Sequence, residues 1–375
     1  MLKTNKLKSL IATALIFILA SCGGGTKDSS SGNATTISPN VMHAKANSAT
    51  SQSFVFGPYK DVSISANWNT FDISTAINAG SQGIAPLLSV LPPDVNTVTW
   101  AFASGDCANE NWGGISPAAL IAANVSAFEA ADVNYIIAIG GAAGTFSCSN
   151  GTQMQAFIDR YMSPKMIGLD FDIEGGAWSN AAISGLVNSV AAAKASGKYP
   201  GLRVSFTLQT LADTTALSGT AGASINSVGA AVMAAIRTAG LTDYTINLMV
   251  MDYGSAIPSN CVVMNGRCDM GHSAIQAAEN FLATFNGTGG NDLVLPSHLE
   301  LTPMIGLNDT VDEVFTINDA IVVAQYAKNR GLGGLHYWSF DRDISCSYTY
   351  PSPTCSGVPN VDPLGYTTTF LNNLN

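Results

Sequence analysis

The stretch Met166-Ile167-Gly168-Leu169-Asp170-Phe171-Asp172-Ile173-Glu174-Gly175-Gly176 places three carboxylates at every second position, with apolar residues between them. Alternate side chains of a β-strand point to the same face. Asp170, Asp172 and Glu174 would therefore form one acidic row, while Leu169, Phe171 and Ile173 face the other way. Like charges this close repel, so at least one of the three should keep its proton to a higher pH than a lone carboxylate. A carboxylic acid still protonated near neutrality is what general-acid catalysis uses. An edge strand with a solvated acidic face would show the same alternation. The closing Gly-Gly, and the apolar strand-like and helix-like segments on both sides, argue instead for a buried strand that ends at a site.

Those flanking segments define the scaffold. From residue 54 onward, strand patterns alternate with helix patterns, which indicates a parallel sheet. Strands are expected at Phe54–Tyr59, Asn96–Ala103, Tyr135–Ile139, Met166–Ile173, Arg203–Leu208, Ile246–Met251, Leu299–Ile305 and Gly334–Trp338. Ala-rich stretches of helical periodicity lie between them, at 117–130, 152–162, 181–196, 223–239, 273–285 and 316–329. Ser116-Pro117 reads as a helix start, with a capping hydroxyl and a Pro in the first turn. Ser179-Asn180 offers further caps. Eight such units in about 325 residues predict an α/β fold, a single (β/α)8 TIM barrel over 51–375. Chemistry in such barrels sits at the C-terminal ends of the strands, which is where Glu174 falls.

Gly168-Leu169-Asp170-Phe171-Asp172-Ile173-Glu174 resembles the fourth-strand signature of family 18 glycoside hydrolases, the chitinase family. That signature opens with one further Asp, and Ile167 stands in its place. The resemblance implies a retaining, substrate-assisted mechanism, in which the nucleophile is the 2-acetamido oxygen of the substrate itself. Glu174 would be the general acid and then the general base. Asp172 would orient the acetamide, and Asp170 would share a proton with Asp172. Met249-Val250-Met251-Asp252-Tyr253-Gly254 is similar to the strand-six motif of the family but departs from it, because Tyr253 follows Asp252 instead of preceding it. Either Met251 replaces the family Tyr and Asp252 keeps its place, or Tyr253 supplies the acetamide contact from a shifted position. The second is the expectation, with Asp252 and Met251 as pocket wall. Trp338 resembles the Trp that floors the sugar pocket. Ala138-Ile139-Gly140-Gly141 is similar to the strand-three S-x-G-G motif, and its glycines would let the backbone pass close to strand four.

Further substrate contacts are expected from Gln209 after strand five and Asn308 after strand seven. Of the loop tryptophans Trp68, Trp112 and Trp178, the last is the favoured sugar platform, being close to Glu174 in sequence. His272, His298 and His336 read as structural. No cofactor and no metal site are expected.

The N-terminus reads as a targeting segment. Lys3, Lys6 and Lys8 precede an apolar run from Leu10 to Leu19, which is short for a membrane span. Leu19-Ala20-Ser21-Cys22 reads as a lipobox, so residues 1–21 are expected to be a lipoprotein signal peptide. Cys22 would carry the acyl anchor in an envelope membrane, with the outer one or the cell surface favoured. Residues 22–50, rich in Gly, Ser, Thr and Asn, read as a tether.

The chain carries a net charge of −10 with only 11% charged residues. It shows no basic patch, which argues against nucleic acid and fits a neutral substrate. The protein is expected to be a monomer. Six cysteines follow Cys22, an even number in an oxidising compartment. Cys261–Cys268 and Cys346–Cys355 would close short loops, and Cys107–Cys148 would join loops after neighbouring strands.

The leading expectation is a chitinase acting on β-1,4-linked N-acetylglucosamine polymers or oligomers. Two alternatives share the signature or the fold: an endo-β-N-acetylglucosaminidase on N-glycans, and a non-catalytic glycan-binding member. Pro303 to Gly333 holds one helix and no added α+β domain, which suggests an open cleft and endo-type cutting.

Overall fold

A computed structural model describes residues 53–80, 83–215, 224–288 and 292–375. The expected signal peptide, Cys22 and the tether lie outside these residues. Eight parallel strands close into a barrel: β1 (Val55–Asp61), β2 (Thr97–Asp106), β3 (Asn134–Gly140), β4 (Met166–Asp172), β5 (Arg203–Gln209), β6 (Thr245–Met249), β7 (Leu299–Thr302) and β8 (Gly334–Tyr337). Each pairs with its chain neighbours, and β1 pairs with both β2 and β8 to close the ring. This is the expected TIM barrel, with strand ends within a few residues of those read from the sequence.

Helices α1 (Pro117–Ala130), α2 (Gly151–Tyr161), α3 (Asn180–Ala195), α4 (Ser227–Ala239), α5 (Met270–Thr284) and α6 (Ile317–Arg330) follow β2 to β7 in turn. The caps act as expected. The Ser116 side chain accepts from Ala119 N, and that of Ser179 accepts from Ala182 N. A seventh helix, α7 (Gly365–Leu374), follows β8 and had no clear sequence signal. Its sequence, GYTTTFLNNL, is rich in Thr and Asn, which are weak helix formers. It is held by packing, with Phe370 buried against Phe56 and Tyr337. Among the described residues no α-helix joins β1 to β2.

The apolar core lies between the barrel and its helices. Leu169, Phe171 and Ile173, the outward row of the acidic strand, are all buried there, and Phe171 stacks on Phe206 of β5. Each such side chain contributes about 1.5–3 kcal/mol by leaving water.

Several polar residues fill the barrel interior, and a buried polar group costs free energy unless it is hydrogen-bonded. Toward the N-terminal end, Arg203 Nε donates to Glu300 Oε1 at 2.9 Å, and His336 Nε2 donates to Glu300 Oε2 at 2.8 Å. Two residues further along β5, Ser205 Oγ donates to Asp170 Oδ1 at 2.6 Å, as does Thr207 Oγ1 at 2.7 Å. Tyr59 Oη donates to Asp170 Oδ2 at 2.8 Å. Asn247 Nδ2 ties the Tyr59 hydroxyl to Thr207 at 2.9 and 3.0 Å.

All three expected cystines are formed, Cys107–Cys148, Cys261–Cys268 and Cys346–Cys355. They sit in strand-to-helix connections, at the C-terminal face of the barrel.

Candidate active site

A cavity of about 170 Å³ opens at that face. Its carboxylates are Asp172 at the end of β4, Glu174 just beyond it, and Asp252 and Asp309 from the connections after β6 and β7. Its large apolar residues are Trp338, Phe102 and Tyr59, with Met249, Met251 and Met304. The Phe102 and Trp338 rings stack with centroids 5.6 Å apart and planes 23° from parallel. Tyr59 lies against both, at 6.4 and 6.3 Å.

Register places the carboxylates. In the parallel pairing of β4 with β5, Asp170 faces Ser205 and Asp172 faces Thr207, so the acidic row points into the barrel as expected. Gly140 clears the way on the other flank. It adopts φ +98°, and a Cβ there would stand 2.3 Å from the Asp172 carbonyl. Gly141 N donates to that carbonyl at 3.1 Å. The close passage expected for the Gly140-Gly141 pair is therefore present.

The three carboxylates differ in their surroundings. Asp170 is fully enclosed and held by three hydroxyls. Burial raises its pKa, and the hydrogen bonds from Ser205, Thr207 and Tyr59 counter that only in part. It lies below the cavity and does not line it. Asp172 is raised well above the carboxylate range, by burial first, then by repulsion from Glu174 and Asp170. Its Oδ1 is buried with no hydrogen-bond partner among the described residues. Glu174 is half-buried. Burial, with repulsion from Asp252 and Asp309, lifts its pKa to about 7. An acid so placed is about half protonated at neutrality, so it can give up its proton and accept it back.

The strand-six motif corrects one expectation. β6 ends at Met249, and the chain then leaves strand geometry, with Asp252 at φ +51°. That left-handed turn, tolerated by Asp, brings Met251 and Asp252 both to the cavity. Tyr253 turns away into the apolar core, 2% exposed, and is not part of the cavity lining. Its backbone N donates to Glu313 Oε2 at 3.1 Å, and Thr310 N donates to Asp252 Oδ1 at 2.8 Å. Tyr253 is therefore not positioned to touch an acetamide, and Met251 occupies the inward position.

Three other expected contacts also lie elsewhere. Gln209 ends β5, but its Oε1 accepts from Asn226 at 2.7 Å, which engages it in the α4 cap. Asn308 is buried, with Nδ2 donating to the carbonyls of Met304 and Gly306 at 2.9 and 3.1 Å. It braces the loop, and the next residue, Asp309, reaches the cavity instead. Trp178 is 8% exposed and packed against Gly140, so it anchors its loop and offers no open ring face. Trp112 is likewise buried, with Nε1 donating to the Tyr161 hydroxyl at 2.7 Å, whereas Trp68 is 55% exposed. Tyr59, Phe102 and Asp309 were not anticipated. Tyr59 had a signal, as an inward-facing position near the end of the first strand. Asp309 is one residue from the position expected.

No family model matches the chain. It is 29% identical over 305 residues to a probable bifunctional chitinase/lysozyme of Escherichia coli (strain K12), covering 77% of this chain and 31% of that protein. It is 30% identical over 271 residues to endochitinase 11 of Metarhizium anisopliae, covering 68% of this chain and 49% of that protein. The chain thus spans half or less of the length of these curated relatives. Among solved structures, the catalytic domain of a hyperthermophilic chitinase from Pyrococcus furiosus superposes with a TM-score of 0.63 at 25% identity, covering 88% of this chain and 97% of that domain.

Proposed function

We propose that this chain, which belongs to the chitinase family of glycoside hydrolases, family 18, cleaves β-1,4-linked N-acetylglucosamine chains with retention of configuration. One observation carries the proposal above the others: Glu174, about half protonated at neutrality, lines one cavity with the aromatic rings and with Asp172, whose buried Oδ1 has no hydrogen-bond partner among the described residues. In this reading a pyranose lies on Trp338, whose flat apolar face suits the axial C–H groups of the sugar. Asp172 Oδ1 accepts the acetamide N–H, so the acetamide oxygen is aimed at the anomeric carbon. As that oxygen forms the new C–O bond, the glycosidic bond breaks and Glu174 delivers its proton to the departing oxygen. An oxazolinium ion remains. Glu174, now a carboxylate, takes a proton from water as that water opens the ring. Asp170, held by three hydroxyls beneath the cavity, adds its repulsion to the burial that raises the Asp172 pKa.

Met249, Met251 and Met304 leave the cavity without the tyrosine hydroxyl that the family motif supplies at strand six. The acetamide oxygen is then steered mainly by Asp172. The deciding test is incubation with chitin hexasaccharide, followed by NMR of the anomeric protons. Initial products in the β-configuration are expected. Initial α-products would overturn the retaining mechanism, and an intact hexamer would overturn the substrate.

The electrostatics predict a pH profile. The acid must be protonated to act, so kcat/KM should be highest below pH 7 and fall as pH rises through about 7. After burial, Asp252 is the largest cause of the raised Glu174 pKa, and the Asp252→Asn variant removes its charge. The alkaline limb should then move to lower pH. A limb that stays in place would exclude Asp252 as a tuning charge.

Between β7 and α6 the rim carries only a small ribbon, Gly306–Leu307 paired with Val314–Phe315. A rim this low supports internal cutting. Early products from long chains should span several lengths, and dimer alone from the outset would contradict this.

A further inference from the structure

Tyr348 and Tyr350 stand apart from the cavity and are used by no step above. They are 47% and 59% exposed, and their rings stack with centroids 5.0 Å apart and planes 14° from parallel. Two large aromatic rings left in water are costly unless something covers them. They are also held in place. The segment Cys346-Ser347-Tyr348-Thr349-Tyr350-Pro351-Ser352-Pro353-Thr354-Cys355 is closed by its own cystine, and two prolines restrict its backbone. The two rings lie face to face, so each supports the other.

The loop is continuous with the cavity rim. Arg342, buried, donates to the Ser352 carbonyl within the loop and to the Ile305 and Leu307 carbonyls after β7. Leu307 N donates to the Ser356 carbonyl at 2.8 Å. Two residues beyond Leu307, Asp309 enters the cavity wall. The tyrosine stack and the cavity therefore share one rigid support.

We propose that Tyr348 and Tyr350 form a second carbohydrate-binding site, a platform on which pyranose rings of a linear N-acetylglucosamine chain lie outside the cavity. The proposal rests on the cavity being the hydrolytic site for that chain. A stacked tyrosine pair suits this ligand, since its free face offers flat apolar surface and its hydroxyls can meet ring substituents. Preordered rings lose little freedom on binding, so the contact is efficient for its area.

The test uses the full chain and three forms of it: the parent, the Tyr348→Ala/Tyr350→Ala double variant, and a Tyr348→Phe/Tyr350→Phe control that keeps the rings. Binding isotherms on insoluble chitin and turnover of a soluble chitotriose substrate are measured for each. The Ala form should bind the polymer roughly tenfold more weakly, with turnover of the short substrate unchanged. The Phe form should bind within about threefold of the parent. A parent that cleaves the soluble substrate yet binds polymer no better than the Ala form would overturn the platform alone. A parent that leaves the soluble substrate intact would overturn the hydrolytic reading and the platform with it. If the Ala form loses turnover on the short substrate as well, the loop is a support of the cavity and the platform is wrong.

Discussion

Replacing Glu174 with Gln should lower kcat on chitin hexasaccharide by about 10²–10⁴-fold, the range for loss of a positioned general acid. Gln keeps the size and hydrogen-bonding capacity of the side chain but has no proton to give at any accessible pH. The structure adds a control on folding. The folded pKa of Glu174 is raised to about 7, above its usual 4.5. A carboxyl raised in this way favours the folded state at low pH, and that contribution is lost as pH rises through about 7. A neutral amide escapes the loss, so the variant should melt no lower than the parent at pH 8. Low activity with an unchanged or higher Tm identifies a chemical role. Activity within tenfold of the parent would remove Glu174 from the mechanism.

The second large effect lies at the opposite end of the barrel. Glu300→Ala should destabilise the protein by about 3–5 kcal/mol, because it leaves the buried Arg203 guanidinium without its carboxylate and His336 without its acceptor. Burial pushes the Glu300 carboxyl up, but the attraction of Arg203 and the hydrogen bond from His336 overcome it and bring the pKa down to about 2. A depressed carboxyl contributes stability above its unfolded pKa and loses it as pH falls. Between about pH 4.5 and 2 the parent should therefore lose about 3 kcal/mol through this group. The variant should lack that part of the acid sensitivity. Urea unfolding at pH 7 and pH 3 checks both statements. A cost under 1 kcal/mol at pH 7 would mean that the interior network contributes little to stability.

What the sequence revealed follows from how local each signal was. The acidic row was legible because strand alternation fixes which side chains share a face, and Asp170, Asp172 and Glu174 do share one. Ser116-Pro117 and Ser179 were legible because a cap depends on three or four consecutive residues. The cystines were legible because two of them close short loops. Tyr253 was misplaced because strand alternation stops at Met249 and one left-handed residue, Asp252, resets the facing of everything after it. Asn308 and Asp309 illustrate the same limit, since loop geometry decided which of two adjacent polar residues reached the cavity. Gln209 and Trp178 sit at the right height, but neighbours distant in sequence, Asn226 and Gly140, engage them first. Helix α7 was hidden because packing, not propensity, holds it.

The three cystines all lie on one face, in the connections that shape the cavity, and none ties the helices of the outer shell. The barrel stands on its apolar core, while its rim is fastened separately by covalent bonds. Cys107 and Cys261 are fully buried, so these two fastenings are shielded from reductant while the rim stays closed. Being fastened separately, the rim is the part of this molecule in which loops could be exchanged for new specificities while the wall beneath keeps its shape.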